Sequence, residues 1–272
     1  VSPIESLFSN LYPGGKDDPE IIRLKAETPD DFYMERVEGI PCPPKGLVIP
    51  EFRVDLHVSA DCKYLPGVPV SIWYDPGYDH AAALLAVQHV NGLVRVFDEI
   101  YERGMTIDEI IDVAIVKPWW TDVRHGVIDV AGTYHGGQQT PVAEVWQRRT
   151  GVYMNSQKVP INEGTARFRS FLKVNPTTHQ PGIIFNPGCR GVLSELGAGV
   201  NPVDKQMHVY RWDVDKDGNT VGKVPLDRWN DGIKAVVYGL VDRFGYVRTT
   251  ERQVAKIQFF GRPRQPLSVG GR

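Results

Sequence analysis

An Asn-Gly pair at residues 91–92 separates two apolar runs, AAALLAVQHV and LVRVFDEIY. Both residues accept the left-handed backbone of a two-residue hairpin turn, so the pair predicts two antiparallel strands. Just upstream, VPVSIWYD from Val68 reads as a buried strand ending in an acid. Three antiparallel strands therefore come first. TIDEIIDVAIV then has helical spacing (Ile107, Ile110, Ile111, Ala114), with Thr106 as N-cap and Glu109 three residues on as a capping box. GVIDVAG is a short apolar strand, again with an acid at its end. The order continues with a helix in TPVAEVWQRR, a strand in GVYMN, a helix in EGTARFRSFLK, a strand in GIIF and a short helix in GCRGVLSELG. HVYRWDVDKDGNTVGKVP predicts a late β-hairpin turning at Asp217-Gly218-Asn219. NDGIKAVVYGLVDRF predicts a closing amphipathic helix with Ile233, Val236, Val237, Leu240 and Val241 on one face. Strands that meander and then alternate with helices predict an α/β chain: a mixed sheet, antiparallel then parallel, flanked by helices.

Residues 1–66 read differently. Pro13, Pro19, Pro29, Pro41, Pro43, Pro44, Pro50 and Pro66 break up helices and central strands. They predict short helices and turns wrapped on a neighbour, one of them over Asp30–Val37. The expected division is an extension at 1–66, a main domain at 67–261 and a basic flexible tail at 262–272. The sequence does not begin with Met, which suits a piece of something longer.

Of the 272 residues, 42% are hydrophobic and 24% charged, the balance of a globular chain and not of a disordered or fibrous one. No run approaches the roughly 20 apolar residues of a membrane helix, and the N-terminus has no signal-peptide pattern. Cys42, Cys62 and Cys189 lack CxxC spacing and read as reduced thiols. The net charge is −2. It is unevenly spread: Arg243, Arg248, Arg252, Lys256, Arg262, Arg264 and Arg272 stand against Glu251 alone near the C-terminus. Such a segment suits a polyanion, or is a solvated tail.

Three carboxylates fall at telling places. Asp75 ends the first strand before Pro76-Gly77, Asp129 ends the fourth, and Asp231 opens the last helix. If the first and fourth strands are neighbours, two of these acids meet, and the helix start brings the third. Acids so crowded stay ionised only beside a cation, and oxygen-only ligands select a hard one, Mg²⁺ or Mn²⁺. Two such ions clamp a phosphodiester for in-line attack by water. Each acid also has a structural role open to it: turn former, solvated strand end, helix-dipole partner. Other patterns fail. Asp213-x-Asp215-x-Asp217-Gly218 begins like an EF-hand loop but has Val224 where a bidentate Glu is needed. There is no HExxH, no GxSxG and no P-loop. Glu99, near the sheet edge, reads as structural, with a helper role open to it.

With those residues in view, the chain resembles the C-terminal nuclease domain of the large terminase subunit of tailed bacteriophages. WYDPGYDHAAALLAVQ resembles that family's first-acid strand and turn. RVFDEIYERGMTIDEI and VIDVAG resemble its third strand and second acid, and GIIFNPGCRGVLSEL its short helix. YRWDVDKDGNTVGKVPLDRWNDGIKAVVYGL resembles its hairpin and closing helix. LYPGGKDDPEIIRLKAETPDD and MERVEGIPCPPKGLVIPEF look like the end of an ATPase motor and its linker.

The resemblance implies a ribonuclease H-like fold and a metal-dependent endonuclease that cuts double-stranded phage DNA concatemers in the host cytoplasm during packaging. Portal protein, small terminase subunit and an ATPase motor missing from this chain are the implied partners. Asp75, Asp129 and Asp231 would be catalytic metal ligands, with Asp79 and Asp227 as auxiliary acids and Mg²⁺ or Mn²⁺, as two ions, as cofactor. One departure concerns the second ion: the family often has an acid one turn into the last helix, where this chain has Lys234. The lysine would contact the scissile phosphate or weaken binding of that ion. Arg148, Arg149, Lys158, Arg167, Arg169 and Lys173, with Arg262 and Arg264, are candidates for DNA backbone contacts or else solvated charges. Two rival functions stay open: another ribonuclease H-like DNA enzyme of resolvase or recombinase type, and a non-catalytic module docking on DNA or portal.

Overall fold

In a computed structural model, residues 17–27, 46–130, 140–215, 219–222 and 224–247 are described. The expected helix over Asp30–Val37, Cys42, the turn at 216–218 and the tail with Arg262 and Arg264 lie outside them. The elements are α1 (Pro19–Glu27), α2 (Val54–His57), β1 (Val70–Asp75), β2 (Ala81–Val90), β3 (Leu93–Arg103), α3 (Ile107–Ile115), β4 (Val123–Ile128), α4 (Val142–Thr150), β5 (Met154–Ser156), α5 (Ile161–Leu172), β6 (Ile183–Phe185), α6 (Arg190–Glu195), β7 (Asp213–Val214), β8 (Thr220–Val221) and α7 (Asp231–Phe244).

One six-stranded sheet has the order β5-β4-β1-β2-β3-β6. β1, β2 and β3 pair antiparallel, whereas β4 on β1, β5 on β4 and β6 on β3 are parallel. This is the ribonuclease H-like arrangement. The turn that starts it behaves as the residue types require: Asn91 has φ 51° and Gly92 φ 83°. The capping box of α3 forms, with Thr106 Oγ1 accepting from the Glu109 amide and Glu109 from the Thr106 amide.

Period-2 alternation divides the sheet into two packed faces. Trp73, Leu85, Val87 and Val127 face α5, α6 and α7. Ile72, Tyr74, Leu84 and Ile128 face α3 and Trp146 of α4. Each fully buried side chain of this size contributes roughly 1.5–3 kcal/mol of transfer free energy. Residues 46–65 join the same cores: Val48 and Ile49 on one face, Cys62 on the other. His57 is buried, its ring nitrogens 2.9 Å from the carbonyls of Arg53 and Leu172.

α7 differs from the amphipathic helix expected of it. Ile233 and the run Ala235–Val241 are all buried, because the sheet, α5 and α6 enclose the helix together. Such close packing needs small residues. A Cβ on Gly239 would stand 1.9 Å from Trp73 Cδ2, and one on Gly164 of α5 2.3 Å from Val237 Cγ1. In the late hairpin Asp213 pairs with Val221 and Val214 with Thr220.

Candidate metal centre

The sheet register brings the first two acids together. β1 and β4 pair through Trp73↔Val127 and Tyr74↔Ile128. Asp75 and Asp129 are the next residues on parallel neighbours, whose chains run about 4.8 Å apart. By strand parity both lie on the face of Trp73 and Val127, the face α7 covers. α7 answers with Asp231, Lys234 and Tyr238, spaced i, i+3, i+7 along one side of the helix.

The charges at this corner feel one another. Asp75 is 7% exposed. Burial above all holds its carboxyl well above the usual range, and Asp231, Asp129 and Glu195 push the same way against the pull of Lys234. Burial also raises Asp231, with Lys234 and His80 pulling it down. Burial works against the Lys234 ammonium, but Asp75, Asp227 and Asp231 outweigh it and raise its pKa. Lys234 Nζ lies 2.7 Å from Asp227 Oδ1, and this bond is the main cause of the lowered pKa of Asp227. The Tyr238 hydroxyl, pushed up by burial and then by Asp75 and Asp129, bonds to Asp129.

The donor chemistry fits a hard divalent cation: carboxylate oxygens with surplus negative charge, the situation that a cation relieves. The spacing is looser than that of a closed coordination shell. Among the described residues, no group of three or more His, Cys, Asp or Glu side chains converges closely enough to hold a metal ion. Lys234 supplies part of the missing positive charge from within the chain.

Two acids that hold the site in place emerge only in three dimensions. Glu195, at the end of α6, is 0% exposed. Its carboxylate accepts from the amides of Gly232 (3.0 Å) and Ile233 (2.8 Å) at the start of α7, and from the Tyr101 hydroxyl (2.8 Å). Asn230, the residue before α7, makes no side-chain cap bond, so Glu195 does the capping. Burial and Asp231 push its carboxyl up to about 8 despite these donors. Glu99 repeats the pattern: it accepts from the amides of Gly191 (2.5 Å) and Val192 (3.2 Å) at the start of α6. Burial raises it to about 7. The structural role expected of Glu99 thus has a concrete form. The signal for Glu195 was a lone acid inside GVLSEL, a run buried throughout.

The other expected site residues divide. Asp79 is exposed on the rim of the recess that Asp227, Asp231 and Lys234 also line. Arg149 pairs with Asp108 and Asp112, and Arg169 with Glu51. Arg167 donates to the carbonyls of Phe244, Gly245 and Tyr246. These three already serve the fold, while Arg148, Lys158 and Lys173 are exposed. Asp215 closes the hairpin by accepting from the Asn219 amide at 2.8 Å.

No protein-family model matches the sequence, and no curated protein matches it. Solved structures do. The large terminase of a thermophilic bacteriophage, in complex with ATP-γ-S, aligns over 81% of this chain and 51% of its own, at 15% identity and a TM-score of 0.54. The nuclease domain of the P22 large terminase aligns over 75% of this chain and 95% of its own, at 13% identity and a TM-score of 0.49. The large terminase nuclease of the thermophilic phage G20c, with bound cobalt, aligns over 73% and 98%, at 16% and 0.47. The chain spans about half the length of the first of these proteins, and at this identity the likeness is one of fold.

Proposed function

We propose that the chain is a metal-dependent endonuclease of a phage DNA-packaging apparatus, cutting double-stranded DNA by phosphodiester hydrolysis. The observation that carries this is the pairing of Asp75 with Asp129 at adjacent parallel strand ends, under an α7 whose Asp231 is near enough to Asp75 for their charges to interact. Asp75 and Asp129 would hold Mg²⁺ or Mn²⁺ between them, and Asp231 and Asp227 would complete the ligand set, with Asp79 at its edge. A bound divalent ion supplies a water acidic enough to attack at neutral pH and neutralises charge on the phosphate. The resemblance implies two ions, and the Lys234 ammonium competes for the second place while offering a contact to the phosphate. Tyr238 keeps Asp129 oriented, and Glu195 fixes the start of α7.

The likeness in fold to large terminases supports this reading over a resolvase, and the crowding of acids supports it over a docking module. Portal protein, small terminase subunit and a motor segment outside residues 67–261 belong to the same proposal, as do the host cytoplasm and backbone contacts through Arg148, Lys158, Lys173 and the basic tail at 262–272. No helix among the described residues is long and apolar enough to cross a membrane.

The test is cleavage of supercoiled plasmid with Mn²⁺, Mg²⁺ or EDTA, beside Asp75→Ala and Asp129→Asn. Metal-dependent nicking and linearisation are expected, reduced roughly 10³-fold in either variant, since the ion's contribution amounts to several kcal/mol. Unchanged cleavage by Asp129→Asn sinks the assignment.

A further inference from the structure

The acids open onto a recess of about 400 Å³, several of whose lining residues take no part in the hydrolytic scheme. This falls within the roughly 300–1,000 Å³ typical of small-ligand sites. One wall is the acidic corner itself, through Asp231, Asp227 and Lys234. Arg103, Asn201, Arg228 and Trp229 line it as well.

Trp229 is the unusual member. It is 38% exposed in a chain whose other large aromatics mostly fill the core. Its backbone sits at φ 57°, a left-handed conformation that a bulky residue adopts only when its surroundings impose it. One face of the indole is stacked on His208, with centroids 3.5 Å apart and planes 4° from parallel. His208 is held in turn by Asp204, Nε2 to Oδ2 2.5 Å. His208 covers one face, and no other ring contact to the indole is seen among the described residues. A flat apolar plate is thus fixed beside a polar recess. Arg103 and Arg228 are exposed and in no ion pair among the described residues.

We propose that this recess receives a single unpaired nucleotide of the DNA strand being cut, its base on Trp229 and its flanking phosphates toward Arg103 and Arg228. The proposal rests on the nuclease reading of the adjoining acids. A nucleobase is the ligand that combines a flat π-face with anionic neighbours, as indole and guanidinium side by side require. Bases inside a duplex present no free face, so the nucleotide must leave the stack, as it does in enzymes that extrude a base. Strand opening at the cut would then be part of substrate selection, and mismatched or gapped DNA would be favoured over intact duplex.

The experiment measures binding of a dye-labelled oligothymidine strand to the full chain by anisotropy, with Ca²⁺ in place of the catalytic ion. Trp229→Ala is expected to weaken binding on the order of tenfold, while Trp229→Phe keeps most of it. Arg103→Ser, at an exposed position, is expected to weaken binding and flatten its salt dependence. Calorimetric titration of Mn²⁺ should be unchanged in Trp229→Ala. Equal oligothymidine binding by Trp229→Ala and the parent chain, or equal loss in Trp229→Phe and Trp229→Ala, overturns the proposal. Loss of oligothymidine binding in Trp229→Ala with no plasmid cleavage by the parent chain supports the recess and sinks the nuclease reading instead.

Discussion

Two sets of buried acids in this molecule are treated in opposite ways. Glu99 and Glu195 each face the start of another element, a helix whose backbone amides meet them, with a tyrosine hydroxyl added for Glu195. Asp75 and Asp231 are burdened first by burial, and the groups around them are mostly charges: Lys234, Asp231 and Asp129 about Asp75, and Lys234, His80 and Asp227 about Asp231. Amides aimed at a carboxylate make it a strut. Like charges aimed at it leave it in need of a cation. The difference separates the carboxylates that serve the fold from those proposed to hold a cation, without appeal to where they stand in the sequence.

The comparison is broken most severely by removing a strut. Glu195→Ala strands two amides and a hydroxyl in a dry interior, and each unmet group costs about 1–3 kcal/mol. A loss of roughly 3 kcal/mol or more in urea unfolding is expected, against little loss or a small gain for Asp75→Asn, which relieves repulsion. The reverse ranking would erase the distinction. A smaller effect sharpens it: Mn²⁺ at about 100 times its Kd should stabilise the parent chain by roughly 2.7 kcal/mol. Thermal melts should show that gain abolished in Asp75→Asn and kept in Glu99→Gln.

The remaining test is pH. Glu99, near 7, and Glu195, near 8, bind protons more tightly folded than unfolded. An acid raised in this way lends stability that is lost as pH climbs from the unfolded value of 4.5 through the folded one. Stability should therefore decline between about pH 5 and 8. Glu195→Gln should flatten the upper part of that decline, and a slope unchanged by the substitution would show that Glu195 does not titrate there.

The sheet and the three acids were legible in the sequence because both are local signals. Alternation, the Asn91-Gly92 turn and the Thr106 capping box each act within a few residues. An acid at a strand end becomes a neighbour of another as soon as strand order is known. Glu195 was not legible, since its partners Tyr101 and Gly232 are far from it in the chain. Arg149, Arg167 and Arg169 could not be told from Arg148 for the same reason: whether a cation is free depends on what folds back onto it. The enclosure of α7 on three sides also escaped periodicity, which counts faces and not neighbours.

Gly239 sets a dimension as well as a packing contact. With hydrogen in place of a methyl group against Trp73, α7 lies as near the sheet as a helix can come. Asp231 is on the same rigid rod, eight residues and about 12 Å along its axis. The glycine therefore works as a gauge block: a single added carbon would prop the rod away from β1 and widen the gap between the helix-borne acid and the two strand-borne ones. The aperture at the acidic corner is set at a position that itself carries no charge.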